Sequence, residues 1–199
     1  MALKIIFTLI FVCSFAFGIT QNEIDTKLKA DLDAVVKMLQ DSDSDIDQKS
    51  QKIFAIFEGV FDFEQMAKNC LGKAQWSALN ENQQKEFIDK FVKRLKESYA
   101  DKLKFYTNQK IDLEKSVQTS ATRIQLLMFL LDSDGKRYDV LYKFYDTKQD
   151  KGWLIYDVDI LGVSITQTYR SQFEGALKNG SFEDLIKKIE SIEINTTQQ

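Results

Sequence analysis

Residues 122–161 read TRIQLLMFLLDSDGKRYDVLYKFYDTKQDKGWLIYDVDIL, and their alternation decides the fold. Three runs, Thr122 to Leu131, Arg137 to Tyr145 and Trp153 to Leu161, follow a period of two, the repeat of a strand whose successive side chains point to opposite faces. Asp132-Ser133-Asp134-Gly135 and Thr147 to Gly152 supply turn chemistry between them, so neighbouring runs are expected to pair as an antiparallel meander. Ile111 to Val117 makes a fourth strand ahead of these three. The sheet is unusually apolar. Ile124 to Leu131 is hydrophobic on both faces, and Tyr138, Val140, Tyr142, Phe144 and Leu154, Tyr156, Val158, Ile160 each give a whole strand face of large side chains. Antiparallel sheets usually leave one face wet. Helices must therefore cover this one, around either an ordinary packed core or the kind of apolar pocket that small-molecule sites favour.

Those helices are legible on both sides of the strands. Upstream, Ile24, Leu28, Leu32, Val35, Val36 and Leu39 recur at helical spacing, with acidic-then-basic pairs such as Glu23/Lys27 and Asp33/Lys37 four apart. A second apolar run covers Ile53 to Phe61, and a third helix carries Phe63, Met66, Ala67 and Cys70 to a stop at Gly72. After Trp76, Asn80 with Gln83 forms a capping pair that opens a long helix with the stripe Phe87, Phe91, Leu95, Tyr99 and Leu103. Downstream, one helix runs from Ser164 through Tyr169, Phe173 and Leu177 to Asn179-Gly180, and another opens at Ser181 with Asp184. The expected architecture is one α+β domain: N-terminal helices, a four-stranded antiparallel sheet, and C-terminal helices.

Composition bounds the chemistry. The 199 residues are 44% hydrophobic and 29% charged, with a formal charge of -3, as in an ordinary globular domain. There is no His and no Pro. Without imidazole, Ser-His-Asp and Cys-His pairs and His-ligated metals are excluded. Residues 1–18 read as a cleaved secretory signal peptide: Lys4 is the positive start, Ile5 to Phe17 the apolar stretch, and Ala16-Phe17-Gly18 the cleavage site. Cys13 follows Val12, where a lipid-attachment signal needs Gly or Ala. Residues 19–199 then form a single domain whose one cysteine, Cys70, can make no intrachain disulfide. Cys70 is read as a buried small residue, with a reactive thiol as the lesser alternative.

Other motifs carry weaker chemistry. Asp41, Asp43, Asp45 and Asp47 mimic the start of a calcium loop, but Ile46 replaces its glycine and Lys52 its bidentate glutamate, leaving a solvated acidic loop. No glycine-rich phosphate loop occurs. Asp157 and Asp159, with Tyr142 and Tyr156 nearby, could serve as base and phenolic donor in an isomerase-like pocket, although their spacing sets both acids opposite Val158 and Ile160. Lys85 to Lys104 carries seven bases against four acids, a solvated face or a docking face. Nucleic acid is disfavoured by the pI of 5.2. Glu193-Ile194-Asn195-Thr196-Thr197 resembles a bacterial glycosylation acceptor at Asn195.

The stretch Trp153 to Ser164, WLIYDVDILGVS, running on to Tyr169-Arg170-Ser171-Gln172-Phe173, resembles the signature of the MlaC family of periplasmic phospholipid-binding proteins, also described as toluene-tolerance auxiliary proteins. Phe61-Asp62-Phe63, Met66-Ala67, Leu71-Gly72, Trp76, Phe87, Phe91, Leu95, Tyr99 and Tyr106 to Gln109 agree in order, so the resemblance spans nearly all of residues 19–199. Ile160-Leu161-Gly162 departs from it, standing where family members often carry a polar or acidic residue before glycine.

The resemblance implies an NTF2-like fold enclosing an apolar cavity, no catalysis and no cofactor, with phospholipid as cargo. It implies a monomer in the Gram-negative periplasm that passes lipid between an outer-membrane lipoprotein-porin complex and the lipid-binding subunit of an inner-membrane ABC transporter. The candidate lining is Phe61, Met66, Phe91, Leu95 and Tyr99 on helices and Leu127, Phe129, Tyr142, Phe144, Tyr156 and Val158 on strands. Val163, Tyr169 and Phe173 are added from the motif. Arg170 is a candidate for a headgroup phosphate or for a structural ion pair, and Lys93 and Lys96 are candidates for docking. An isomerase-type NTF2-like enzyme and a filled-core interaction module remain as alternatives.

Overall fold

The computed structural model of the chain describes residues 19–41, 45–103, 106, 109–149, 151–174 and 180–191. The expected leader, Asp43, Leu177, Asn179 and the Asn195 acceptor lie outside the described residues. Five helices come first: α1 (Ile24–Gln40), α2 (Ile46–Phe57), α3 (Phe63–Leu71), α4 (Lys73–Ala78) and α5 (Glu81–Leu103). Strands β1 (Lys110–Leu113), β2 (Val117–Ser120), β3 (Arg123–Leu131), β4 (Arg137–Asp146), β5 (Trp153–Ile160) and β6 (Val163–Ser164) follow, then α6 (Ile165–Phe173) and α7 (Phe182–Ser191).

Short polar side chains start the helices, at Asn80 as the sequence indicates and at Asp45 and Asp62 as additions to it. Asp45 caps α2 by accepting from the Asp47 backbone N–H at 2.7 Å, so the acidic stretch before α2 ends in a cap. Asp62 caps α3 and also accepts from the Tyr145 hydroxyl at 2.5 Å, tying the helix start to β4. Asn80 and Gln83 cap α5 reciprocally, at 3.1 and 3.0 Å. Helix α4 is an addition: Gly72 ends α3 but is followed at once by another turn and a half of helix rather than a loop.

The sheet runs in the order β1-β3-β4-β5-β6, antiparallel throughout, with β2 also on β3. The expected first strand is split in two along one edge of β3. β1 pairs with Met128 to Leu131 and β2 with Arg123 to Gln125. Between them the chain detours so that the Ser116 N–H bonds the Asp25 carboxylate of α1 at 3.1 Å. The far edge of β5 is covered piecewise. Ile155 exchanges 2.8 Å backbone bonds with Val60 and Asp62, the Trp153 N–H bonds the Ile19 carbonyl at 2.9 Å, and β6 pairs at Asp159 and Ile160.

One irregularity sets the sides of β5. Lys143 pairs with Asp157 but Phe144 pairs with Ile155, so Tyr156 is a bulged extra residue. Ile155 and Val158, an odd number apart, consequently both face inward with Phe144 and Tyr142. There they meet Ile124, Leu126 and Met128 of β3 and the buried sides of α1, α3, α5, α6 and α7 in a single apolar cluster.

Leu161 and Gly162 turn β5 into β6, both at positive φ (53° and 80°), the pattern of a two-residue hairpin turn that favours Asn-Gly. A leucine there is strained, and it is 48% exposed. Leu161→Asn is expected to raise unfolding stability by about 1 kcal/mol in urea titration; a loss of stability would refute the strain.

Helix α7 is held by exposed carboxylates. The Lys90 ammonium hydrogen-bonds Glu190 at 2.5 Å and lowers its pKa, and the Ser181 N–H does the same for the capping Asp184. A lowered carboxylate contributes its stability above the ordinary range and loses it as pH falls through the folded value. The amide resonances of Leu185 and Ile189 should therefore hold steady above pH ~5 and broaden or shift below pH ~4, ahead of those in β3 and β4. Simultaneous loss of both regions would contradict a separate α7 tie.

Candidate functional site

Alternation on the strands and helical stripes on α3, α5 and α6 converge on the space between the inner sheet face and the helices. Met66, Phe91 and Phe173 are wholly buried there, and Leu95, Tyr142, Phe144, Val158 and Tyr169 nearly so. Phe61 and Tyr99 pack against them. Several aromatic rings meet there. Phe87 stacks along Phe91 at 6.4 Å and meets Phe173 edge-on at 5.7 Å, Phe91 meets Tyr169 at 5.1 Å, and Phe61 meets Tyr142 at 6.5 Å. Burial raises the pKa of Tyr99, Tyr142 and Tyr169, so all three phenols stay neutral.

Ten of the fourteen expected lining residues therefore share one wall system, and four do not. Leu127 and Phe129 lie on the opposite face of β3, paired with Leu141 and Asp139, because the register puts Leu126 and Met128 opposite Tyr142 and Val140. Tyr156 is turned out by its own bulge and packs edge-on against Tyr145 at 5.9 Å, with Arg123 over its ring at 5.2 Å. Val163 is 57% exposed beside the Leu161–Gly162 turn. The wall instead includes Ile124, Leu126, Met128 and Ile155. With both faces of β3 hydrophobic, alternation could not choose between them. The ion-pairing alternation of Asp139 and Lys143 on β4, continued across the register, was the usable signal.

The signature strand also carries a polar hub on its outer side. The buried Asp157 carboxylate accepts from Lys143 Nζ at 3.0 Å, the Ser164 hydroxyl at 2.8 Å and the Thr166 N–H at 3.1 Å. Lys143 also meets Asp159 at 2.5 Å. Burial works to lower the Lys143 pKa, but its hydrogen bonds to Asp159 and Asp157 outweigh burial and raise it. These carboxylates join β4, β5 and the start of α6, and they face away from the apolar interior, so the isomerase-like arrangement with Tyr142 is not assembled. Cys70 is wholly buried, and burial followed by the Asp157 charge pushes its thiol pKa up, which makes it an inert packing residue. Among the described residues no group of His, Cys, Asp or Glu is placed to hold a metal, and no helix is long and apolar enough to cross a membrane.

The surface candidates divide. Arg170 is exposed and lies across Gly72 at the α3–α4 junction. Lys93 is 71% exposed, with Glu97 no nearer than 3.9 Å. Lys96 is already engaged: it bridges to Glu58 at 2.6 Å and lies 5.9 Å from the rings of Phe54 and Phe63, so it ties α5 to the end of α2.

A solved structure of the phospholipid-binding protein from Ralstonia solanacearum, in complex with a phospholipid, matches with a TM-score of 0.71 at 22% identity, covering 83% of this chain and 94% of that one. At that identity the match establishes the fold. No match was found among curated proteins. The family model described as "MlaC protein" matches residues 29–191, from within α1 to the end of α7. This chain belongs to the MlaC family.

Proposed function

We propose that this protein is a periplasmic phospholipid carrier, without enzymatic activity, whose acyl chains lie between the inner sheet face and the helices. Each buried methylene of a tail is worth about 0.8 kcal/mol, so a lipid crossing water needs a wall of side chains that ask for no hydrogen bonds. The continuous interior of Met66, Phe91, Leu95, Leu126, Met128, Phe144 and Val158 supplies such a wall. Met66 and Met128 add flexible thioethers that can repack around different chains.

The observation that carries the reading is how weakly this interior pairs the Tyr142 hydroxyl. The Tyr142 hydroxyl, on a residue 7% exposed, reaches only the Met128 sulfur at 3.7 Å, and the buried Tyr169 hydroxyl has only the Ser98 hydroxyl beside it. A buried unsatisfied hydroxyl costs about 1–3 kcal/mol. A core built only to be filled would use phenylalanine; a guest with ester carbonyls gives these groups acceptors. In the conformation described, the helices lie closed on the sheet, so loading requires the two to separate.

The family suggests that cargo moves between an outer-membrane lipoprotein-porin complex and an inner-membrane ABC transporter. Handover would then depend on docking, since a chain of net charge -3 is not drawn to anionic membranes. Lys93 is the better docking candidate, because changing Lys96 would also loosen α2 from α5. Native mass spectrometry of the protein purified from the periplasm without detergent tests the carrier reading. The expected result is a stoichiometric phospholipid adduct on a monomer beginning at Ile19; an apo mass with no uptake from phospholipid vesicles would support the filled-core module instead.

A further inference from the structure

A polar pocket of about 400 Å³ opens on the outer side of the elements that build the apolar interior, where α3, the start of α4, α6 and the outward face of β4 and β5 meet. Lys68, Lys73, Lys143 and Arg170 line it against one carboxylate, Asp157. The four cations are not equivalent. Lys143 is held by Asp157 and Asp159, and Lys68 by Glu64 at 2.6 Å and the face of Trp76 at 5.4 Å. Asp157 is itself committed to Lys143, Ser164 and Thr166. Lys73 and Arg170 remain, and among the described residues no carboxylate pairs with either.

The Arg170 guanidinium lies against the Gly72 backbone and not against a carboxylate of the described residues. Gly72 has φ 80° and ψ 155°, a region open essentially to glycine alone. The guanidinium lies against this glycine, with a nitrogen 3.4 Å from where a Cβ would stand. Its fork of N–H donors lines the same pocket as Lys73 and Gln167.

We propose that this pocket binds a phosphate group. An arginine fork recognises two oxygens of one anion, a lysine adds a point charge, and a phosphate offers enough acceptor oxygens to satisfy both, whereas one carboxylate would leave a cation uncompensated. The group has two chemical sources. It is the phosphodiester of a lipid whose tails enter the interior, which rests on the carrier reading, or it is a free phosphate, which does not.

The test is titration of the ¹⁵N-labelled protein with inorganic phosphate, glycerophosphate and dihexanoylphosphatidylglycerol, following the amides of Gly72, Thr166 and Gln167. Saturable shifts are expected, weakened about tenfold or more by Arg170→Gln and by Lys73→Gln, less by Arg170→Lys, and unchanged by Lys187→Gln on exposed α7. Thermal unfolding of each variant checks that the fold is retained. Response to phosphate or glycerophosphate supports the site with a free-anion source; response to the short-chain lipid alone supports it with a headgroup source. No saturable shift with any probe, or equal affinity in the Arg170→Gln and Lys73→Gln proteins, overturns the site. Phosphate binding in a protein that takes up no vesicle lipid would leave the pocket standing and remove the carrier reading.

Discussion

The single extra residue at Tyr156 is the constraint on which the two sides of this molecule depend. Without it, strict alternation would place Ile155 on the same face as Asp157 and Asp159, and β5 could not be apolar inward and acidic outward along its length. With it, Ile155 and Val158 both enter the core, while Asp157 turns out to meet Lys143, Ser164 and the first turn of α6. The bulge thus links the interior to the position of α6, whose Tyr169 and Phe173 close that interior from the other side.

Burial and hydrogen bonding pull in different directions across this wall. Hydrophobic burial favours complete closure of the helices on the sheet, and Phe87, Phe91 and Phe173 are indeed fully enclosed. The Tyr142 hydroxyl opposes it, because closure leaves it only the Met128 sulfur as a partner. An interior that is closed yet not fully satisfied is suited to exchange its own contacts for those of a guest. On the outer side every acid of the Asp157 hub has a partner, which fixes the frame against which such rearrangement would occur.

How much of this was legible follows from the kind of signal each element carries. The helices were readable from their apolar stripes and from local starts at Asn80, Ser164 and Ser181, whereas the equally local caps at Asp45 and Asp62 were hidden in an acidic stretch and a family motif. The meander was readable for the same reason, through its turns. The split of the first strand was not, since it depends on Ser116 meeting Asp25 on a distant helix. Nor was the face of β3, where Leu127 and Leu126 are chemically alike and only pairing with Lys143-bearing β4 distinguishes them. The family signature indicated the right strand but could not reveal that Tyr156 within it is bulged, because a bulge is a relation between two strands. Arg170 was picked out in the sequence, whereas the glycine it lies against is a relation between distant segments that the sequence does not show.

The central claim is that acyl chains occupy the space between the helices and the inner face of the sheet. Photolabelling with a phospholipid carrying a diazirine on its acyl chain, followed by peptide mapping, tests it most directly. Adducts at Met66, Phe91, Met128 or Phe144 are the predicted result; adducts confined to Leu127, Phe129 and Leu141 on the outer face would contradict it.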